Sequence, residues 1–254
     1  MSENVLQPYC KKCSSDAAAC DFTCFPRVLM HGEKGNGGIW AATGVPKRYR
    51  NSFLSTLPTA EQNPQAHKFV TRYIEKVTSL VERGVGLYLY SMPNAENRKG
   101  TGTGKTTIAT AILNEFTIKR VIENVKGENT FTDHPSLFVK ASELQNTFNE
   151  QFRGTDDSRQ KATTKFSRYK KQMLSTELLV IDDIALRGTT EAYQDVFYEI
   201  IDKRYNEELA TIFTSNTPLD NLGEVLNYQI ASRVEGMTEG VLLKGKDNRK
   251  GGIL

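Results

Sequence analysis

Residues 100–107 read Gly-Thr-Gly-Thr-Gly-Lys-Thr-Thr. Glycines at 100, 102 and 104 let successive backbone N–H groups turn inward with no Cβ in the way, and such a concavity suits phosphate oxygens. A helix beginning near Lys105 would add the positive end of its dipole to the same place. Lys105 would then reach the β and γ phosphates, and Thr106 would present its hydroxyl to Mg2+. The nucleotide-binding set is therefore Gly100, Thr101, Gly102, Thr103, Gly104, Lys105, Thr106 and Thr107. Lys99 stands where the usual spacing puts a first glycine, and the loop from Ser91 is longer than common, with Met92 to Arg98 unexplained.

A phosphate cradle needs a metal-holding partner, and one is present downstream. Glu177-Leu-Leu-Val-Ile-Asp182-Asp183 is a continuous apolar run ending in two carboxylates, the pattern of a buried strand whose tip meets a ligand. Asp182 is expected in the Mg2+ shell, and Asp183 is expected to orient the attacking water. Thr211-Ile-Phe-Thr-Ser-Asn216 is a further strand ending in an amide. Asn216 is either a sensor that hydrogen-bonds the attacking water or a turn cap ahead of Pro218. Together these segments indicate a P-loop nucleotide hydrolase. Neither the Asn-Lys-x-Asp guanine signature nor a Leu-Ser-Gly-Gly-Gln sequence occurs, which argues against GTPases and transport ATPases.

A second chemistry sits at the amino-terminal end. Cys10, Cys13, Cys20 and Cys24 are the only cysteines. In a reducing compartment this C-x2-C-x6-C-x3-C array suits a tetrahedral Zn2+ site, with Zn–S distances of about 2.3 Å. Incidental thiols and an iron–sulfur cluster remain alternatives. Few core-forming residues lie in the first forty or so positions, so metal binding would supply the folding energy. His31, after Met30, is expected to be solvated and is not counted as a ligand.

These groups require elements to hold them. The chain has 254 residues, enough for one sizeable domain and a small appendage. Lys plus Arg total 33 against 30 Asp plus Glu, a formal charge of +3, so any nucleic-acid surface must be local. The first residues lack a signal-peptide pattern, and no apolar run approaches the ~20 residues of a membrane span; a cytoplasmic protein with no membrane partner is expected. Residues 1–45 are expected to be a zinc-binding, partner-recognition module, 46–63 a linker rich in Pro and basic residues, and 64–254 the nucleotide-binding domain. Ala66, Phe69, Val70, Tyr73, Ile74, Val77, Leu80 and Val81 recur at three- and four-residue spacing and predict one amphipathic helix ending at Gly84. Gly86 to Ser91 reads as a strand, and Ile108, Ala109, Ile112, Leu113 and Phe116 form the apolar stripe of the helix behind the glycine loop.

The ordered segments Gly-Leu-Tyr-Leu-Tyr, Gly-Thr-Gly-Lys-Thr, Leu-Leu-Val-Ile-Asp-Asp, Ile-Phe-Thr-Ser-Asn and Ser232-Arg233 resemble the AAA+ ATPases of the DnaC/DnaI helicase-loader group, which are related to the IstB transposition ATPases. Gly44-Val-Pro-Lys-Arg-Tyr49 and Ile200-Ile-Asp-Lys-Arg-Tyr205 extend the resemblance, which covers about residues 45–250. It implies an α/β fold with a five-stranded parallel sheet flanked by helices. It also implies ATP hydrolysis at sites shared between subunits of a homo-oligomer, contact with single-stranded DNA, and delivery of a DnaB-family replicative helicase. An amino-terminal metal-binding module commonly grips the helicase in that group. By the same resemblance Arg233 corresponds to the arginine finger of a neighbour's site, the alternative being an ordinary surface arginine. Arg249 falls where the group's second sensor arginine stands.

Arg159, Lys161, Lys165, Arg168, Lys170 and Lys171 interleave with Phe166 and Tyr169. Cations for phosphates beside aromatic faces for bases is a single-strand-binding chemistry, and a merely solvated helix face is the alternative. The leading expectation is an ATP-dependent helicase loader. An IstB-like transposition regulator and a nucleotide-gated, zinc-bearing adaptor with little turnover are the alternatives.

Overall fold

A computed structural model of the chain describes residues 5–6, 24–57, 59–95, 97–98, 100–130, 132, 134–185 and 189–248. Among them, five strands form one sheet: β1 (Gly86–Tyr90), β2 (Ser136–Lys140), β3 (Leu178–Asp182), β4 (Thr211–Ser215) and β5 (Thr238–Leu242). The order is β2-β3-β4-β1-β5, and every pairing is parallel. β3 and β4 are buried at all their positions; β3 accordingly reads as an apolar run, whereas β4 buries Thr211, Thr214 and Ser215 around Ile212 and Phe213. β5 lies at an edge with Glu239 and Gly240 exposed, so no apolar run announces it.

Alternate strand residues supply two cores. Leu87, Leu89, Val180 and Ile212 face α4 (Pro64–Glu75), α5 (Val77–Glu82) and α6 (Lys105–Lys126). Tyr88, Leu179, Ile181 and Phe213 face α7 (Ala141–Glu150), α8 (Asp156–Ser175), α9 (Glu191–Asn206) and α11 (Tyr228–Met237), the last preceded by the short α10 (Leu222–Val225). Helices on both faces of a parallel sheet are the expected architecture. Side chains cap several helix starts: Thr155 accepts from the Ser158 amide, Thr190 from the Tyr193 amide and Asn227 from the Ile230 amide, satisfying donors that the helix itself leaves open.

The single helix expected up to Gly84 is two helices, broken at Lys76 (φ −109°, ψ 18°). The cause lies far along the chain. Lys119 Nζ on α6 donates to the carbonyls of Ile74 and Glu75, acceptors that a continuous helix would use itself.

Residues 46–63, expected as a linker, lie against α6. Asn114 Nδ2 donates to the carbonyls of Arg50 (3.2 Å) and Ser52 (2.9 Å), the Leu54 amide donates to Glu115, and Val45 and Leu57 join the first core. α3 (Thr59–Gln62) closes the segment. The described part of residues 1–45 also packs on α6 rather than standing apart. Leu6, Met30 and Ile39, from the layer containing α1 (Phe25–His31) and α2 (Gly38–Ala42), meet Ile118 and Val121, while Trp40 stacks on Phe53. The Phe138 amide donates to the Thr43 carbonyl at 2.7 Å, tying the layer to the sheet edge. A segment with too few apolar residues for its own core borrows the second face of α6. His31 is buried against Trp40, contrary to the expectation of a solvated side chain, and its Nε2 has no hydrogen-bond partner among the described residues.

Candidate functional site

β1 ends at Tyr90 and is followed by Ser91, which is fully buried. The described part of the segment that follows contains a turn. Asn94 and Asn97 bond each other's backbones, and buried Asn97 donates through Nδ2 to the carbonyls of Thr101 (2.6 Å) and Gly245 (3.3 Å). The extra residues thus brace the glycine loop against the carboxy-terminal segment. Gly100, Gly102 and Gly104 all have positive φ (61°, 71° and 95°), which side chains with a Cβ adopt at a cost. At Gly102 the constraint is also steric: a Cβ would stand 1.7 Å from an Asp247 carboxylate oxygen. α6 begins at Lys105 with no side-chain cap and runs 22 residues, leaving amide donors and the positive dipole end facing the loop.

Lys105 Nζ donates to Ser91 Oγ (2.5 Å), the Gly100 carbonyl (3.1 Å), Thr103 Oγ1 (3.4 Å) and Asn216 Oδ1 (2.7 Å). Asn216 therefore faces the lysine. The turn-cap role is filled by its neighbour, since Ser215 Oγ accepts from the Thr217 amide at 3.0 Å. Thr106 Oγ1 and Thr214 Oγ1 each donate to Asp182 Oδ1 at 2.7 Å. The Asp183 amide donates to Thr214 Oγ1 at 2.9 Å, and Asp183 has φ 59°, a left-handed conformation uncommon outside glycine. The Asp183 side chain is exposed. Tyr88 donates to the Thr217 carbonyl at 2.8 Å, and burial pushes its hydroxyl up to about 12.

The three strand tips thus converge at one place. Beside them lies a cavity of about 120 Å³ lined by Arg48, Tyr49, Gly102, Thr103, Gly104, Lys105, Thr106, Thr107 and Asn248. A hydroxyl and a carboxylate already in contact, Thr106 and Asp182, are hard oxygen donors of the kind Mg2+ takes, and the amide nest beside them suits phosphates. Arg48, Tyr49, Asn248, Ser91 and Thr214 were not anticipated as site residues. Arg48 and Tyr49 lie in the Gly-Val-Pro-Lys-Arg-Tyr segment, on a 3-10 turn, Lys47–Tyr49. Asn248 is held by two amide bonds to Gln62 and by its own N–H to the Gly102 carbonyl.

Other expected site residues are elsewhere. Arg233, on α11, pairs with Asp202 on α9 and does not line the cavity of its own chain. Arg249, Cys10, Cys13 and Cys20 lie outside the described residues. Cys24 is a half-buried free thiol at the N-cap of α1, and no cluster of metal-ligating side chains occurs among the described residues. The basic segment falls on α8 and corrects one expectation: Phe166 is buried and Tyr169 packs on the same core, so neither offers an open ring for a base. Both belong to the apolar stripe that continues to Met173. Arg159, Lys161, Lys165 and Lys170 have carboxylate partners, whereas Arg168 and Lys171 are exposed. No described helix is long and apolar enough to cross a membrane.

The IstB-like ATP binding protein family matches residues 151–235, a stretch holding Asp182, Asp183, Asn216 and Arg233 but not the glycine loop. The sequence has no match among the curated proteins. Among solved structures, the DnaC helicase loader is 22% identical with a TM-score of 0.55, over 78% of this chain and 100% of that one. DnaI is 21% identical with a TM-score of 0.55, over 79% and 95%. The replication initiator DnaA bound to AMPPCP and single-stranded DNA is 20% identical with a TM-score of 0.52, over 79% of this chain and 51% of that one. In fold, the chain resembles the DnaC/DnaI group of AAA+ proteins.

Proposed function

We propose that this chain is an ATP-dependent loader that delivers a DnaB-family replicative helicase to single-stranded DNA in the cytoplasm. The observation that carries this reading is the convergence of Lys105 with Asn216 and of Thr106 with Asp182, each pair at 2.7 Å, on a fold shared with two helicase-loader-like structures. Gly100 to Thr107 bind the phosphates through backbone amides, with Lys105 as the fixed positive charge. Thr106 and Asp182 hold Mg2+, which supplies charge neutralisation to the phosphates. Asp183 holds the attacking water and accepts its proton, while Asn216, released by Lys105 when phosphate binds, fixes the water's direction. Arg233 completes the site of a neighbouring copy in a homo-oligomer, and Arg249 contacts phosphate within its own chain. Removing the finger lowers turnover about 10³-fold or more, as in other phosphoryl-transfer enzymes.

The four cysteines would hold Zn2+, and the amino-terminal module they close would grip the helicase. Single-stranded DNA runs along α8, where Arg168 and Lys171 meet phosphates without help from the buried aromatics. The IstB-like match over residues 151–235 favours a second reading, a transposition regulator that recognises a transposase and duplex DNA. A pull-down against a replicative helicase and a transposase, with and without ATP, tests the two. Nucleotide-dependent capture of the helicase alone is the expected result. Capture of the transposase alone transfers the assignment, and capture of neither removes both. Zinc chelation is expected to abolish helicase capture while ATP binding persists.

A further inference from the structure

The guanidinium of Arg233 is held from behind. Its Nε donates to Asp202 Oδ1 at 2.5 Å, one terminal nitrogen, Nη1, donates to the Gln229 carbonyl at 3.2 Å, and the group lies 4.6 Å from the centre of the Tyr198 ring. The other terminal nitrogen, Nη2, makes no hydrogen bond among the described residues. Asp202 is itself fixed, accepting from Tyr198 (3.4 Å) and from Asn206 Nδ2 (3.1 Å). Both helices behind it are anchored. α9 is capped by Thr190 and stapled near its end by Arg204, whose four hydrogen bonds reach Met173, Thr176, Ala210 and Thr211. α11 is capped by Asn227 and shares a core with α9 through Ile200, Ile201, Ile230 and Val234.

A carboxylate that sequestered an arginine would take two parallel N–H bonds, whereas Asp202 accepts one, from Nε. Tyr198 takes one face. What remains without a hydrogen bond among the described residues is Nη2, a terminal nitrogen able to donate to a phosphate oxygen. We infer that Asp202 and Tyr198 are positioning residues that pre-set Arg233 for the terminal phosphate bound by a second copy of this chain. The inference rests on the proposed reading of Arg233 as the group completing a neighbour's site. An arginine side chain left free would sample many rotamers, and ordering it at the interface would weaken the contact in the transition state.

The test uses full-length protein in mixed assemblies. Asp183→Asn protein has an intact finger and an inactive site; Arg233→Ala protein has the reverse, so hydrolysis in their mixture requires the finger of one and the site of the other. Asp202→Ala placed in the Asp183→Asn chain is expected to lower that hydrolysis about tenfold in kcat, within the range for small misplacements, with KM for ATP unchanged. The same change placed in the Arg233→Ala chain is expected to do nothing. Asp202→Asn, which keeps an oxygen acceptor, is expected to restore part of the loss, and Tyr198→Leu to reproduce it. Melting temperatures of each variant separate this from unfolding. Equal losses in the two placements, or none in either while Arg233→Ala alone is inactive, overturn the positioning role and leave the finger standing. An active Arg233→Ala protein overturns the finger reading and the inference with it.

Discussion

Two buried cations in this molecule have opposite surroundings. Arg204 is fully buried, and three of its four hydrogen-bond acceptors are backbone carbonyls, of Met173, Thr176 and Ala210. Burial pushes its pKa down, yet those acceptors hold the guanidinium as a fixed staple joining the ends of α8 and α9 to β4. Lys105 lies beside a cavity and donates to the side chains of Ser91, Thr103 and Asn216 as well as to the Gly100 carbonyl. Hydroxyls and an amide can turn away when a stronger acceptor arrives; carbonyls of a helix end and a strand cannot. Lys105 thus has side-chain partners that can yield to a ligand, whereas the carbonyls around Arg204 cannot.

Substitution separates the two most strongly. Lys105→Ala is expected to lower ATP hydrolysis by about 10³-fold, the scale for losing one preorganised charge or donor, while thermal unfolding shifts little because water enters the open cleft. Arg204→Met reverses the pattern. Several buried acceptors lose their donor at about 1–3 kcal/mol each, so urea unfolding is expected to show a loss of about 3–5 kcal/mol, with any change in hydrolysis following the folded fraction. If Arg204→Met retained full stability, or Lys105→Ala unfolded the chain, the distinction would fail.

A smaller effect tests the layer on the far face of α6. Asn114→Ala removes both bonds to the 50–52 backbone and is expected to cost about 1–2 kcal/mol. Its signature is faster proteolysis in residues 46–63, with the sheet still protected. The smallest effect is a pH response. Burial, and secondarily Arg27, lower the His31 pKa below 6.5, so the folded layer disfavours the protonated imidazole. The unfolded segment takes up a proton that the folded one refuses; stability present above pH 6.5 is therefore lost as pH falls towards the folded pKa. Trp40, the only tryptophan, lies 6.4 Å from the His31 ring, and its fluorescence is expected to report this loosening. His31→Leu is expected to flatten the response.

The parts legible in the sequence are those whose cause is local. β3 carries an apolar run because both its faces are covered, and Ser91, Asp182 and Asn216 at the tips of β1, β3 and β4 are polar because they bond Lys105 and Thr106. The glycine loop could be read because three positive-φ positions require that residue type. The helix break at Lys76 could not, since Lys119 on another element causes it. β2 and β5 are the outer strands of the sheet, and their five-residue segments carry no long apolar run. Phe166, Tyr169 and Met173 held a misread clue: their spacing marks a buried stripe, and the surrounding lysines obscured it. The attachment of residues 24–57 was hidden because α6 is apolar on two faces, and Ile118 and Val121 serve a core that the first stripe did not reveal.

The central claim is that the strand tips bind and hydrolyse ATP around Mg2+, with Lys105 redirected from Asn216 to phosphate. Steady-state ATP hydrolysis by wild type, Lys105→Ala and Asp183→Asn, with and without Mg2+, tests it most directly. The account predicts Mg2+-dependent turnover in wild type, loss of nucleotide binding and turnover in Lys105→Ala, and binding without turnover in Asp183→Asn. Equal rates in all three, or turnover indifferent to Mg2+, would contradict it.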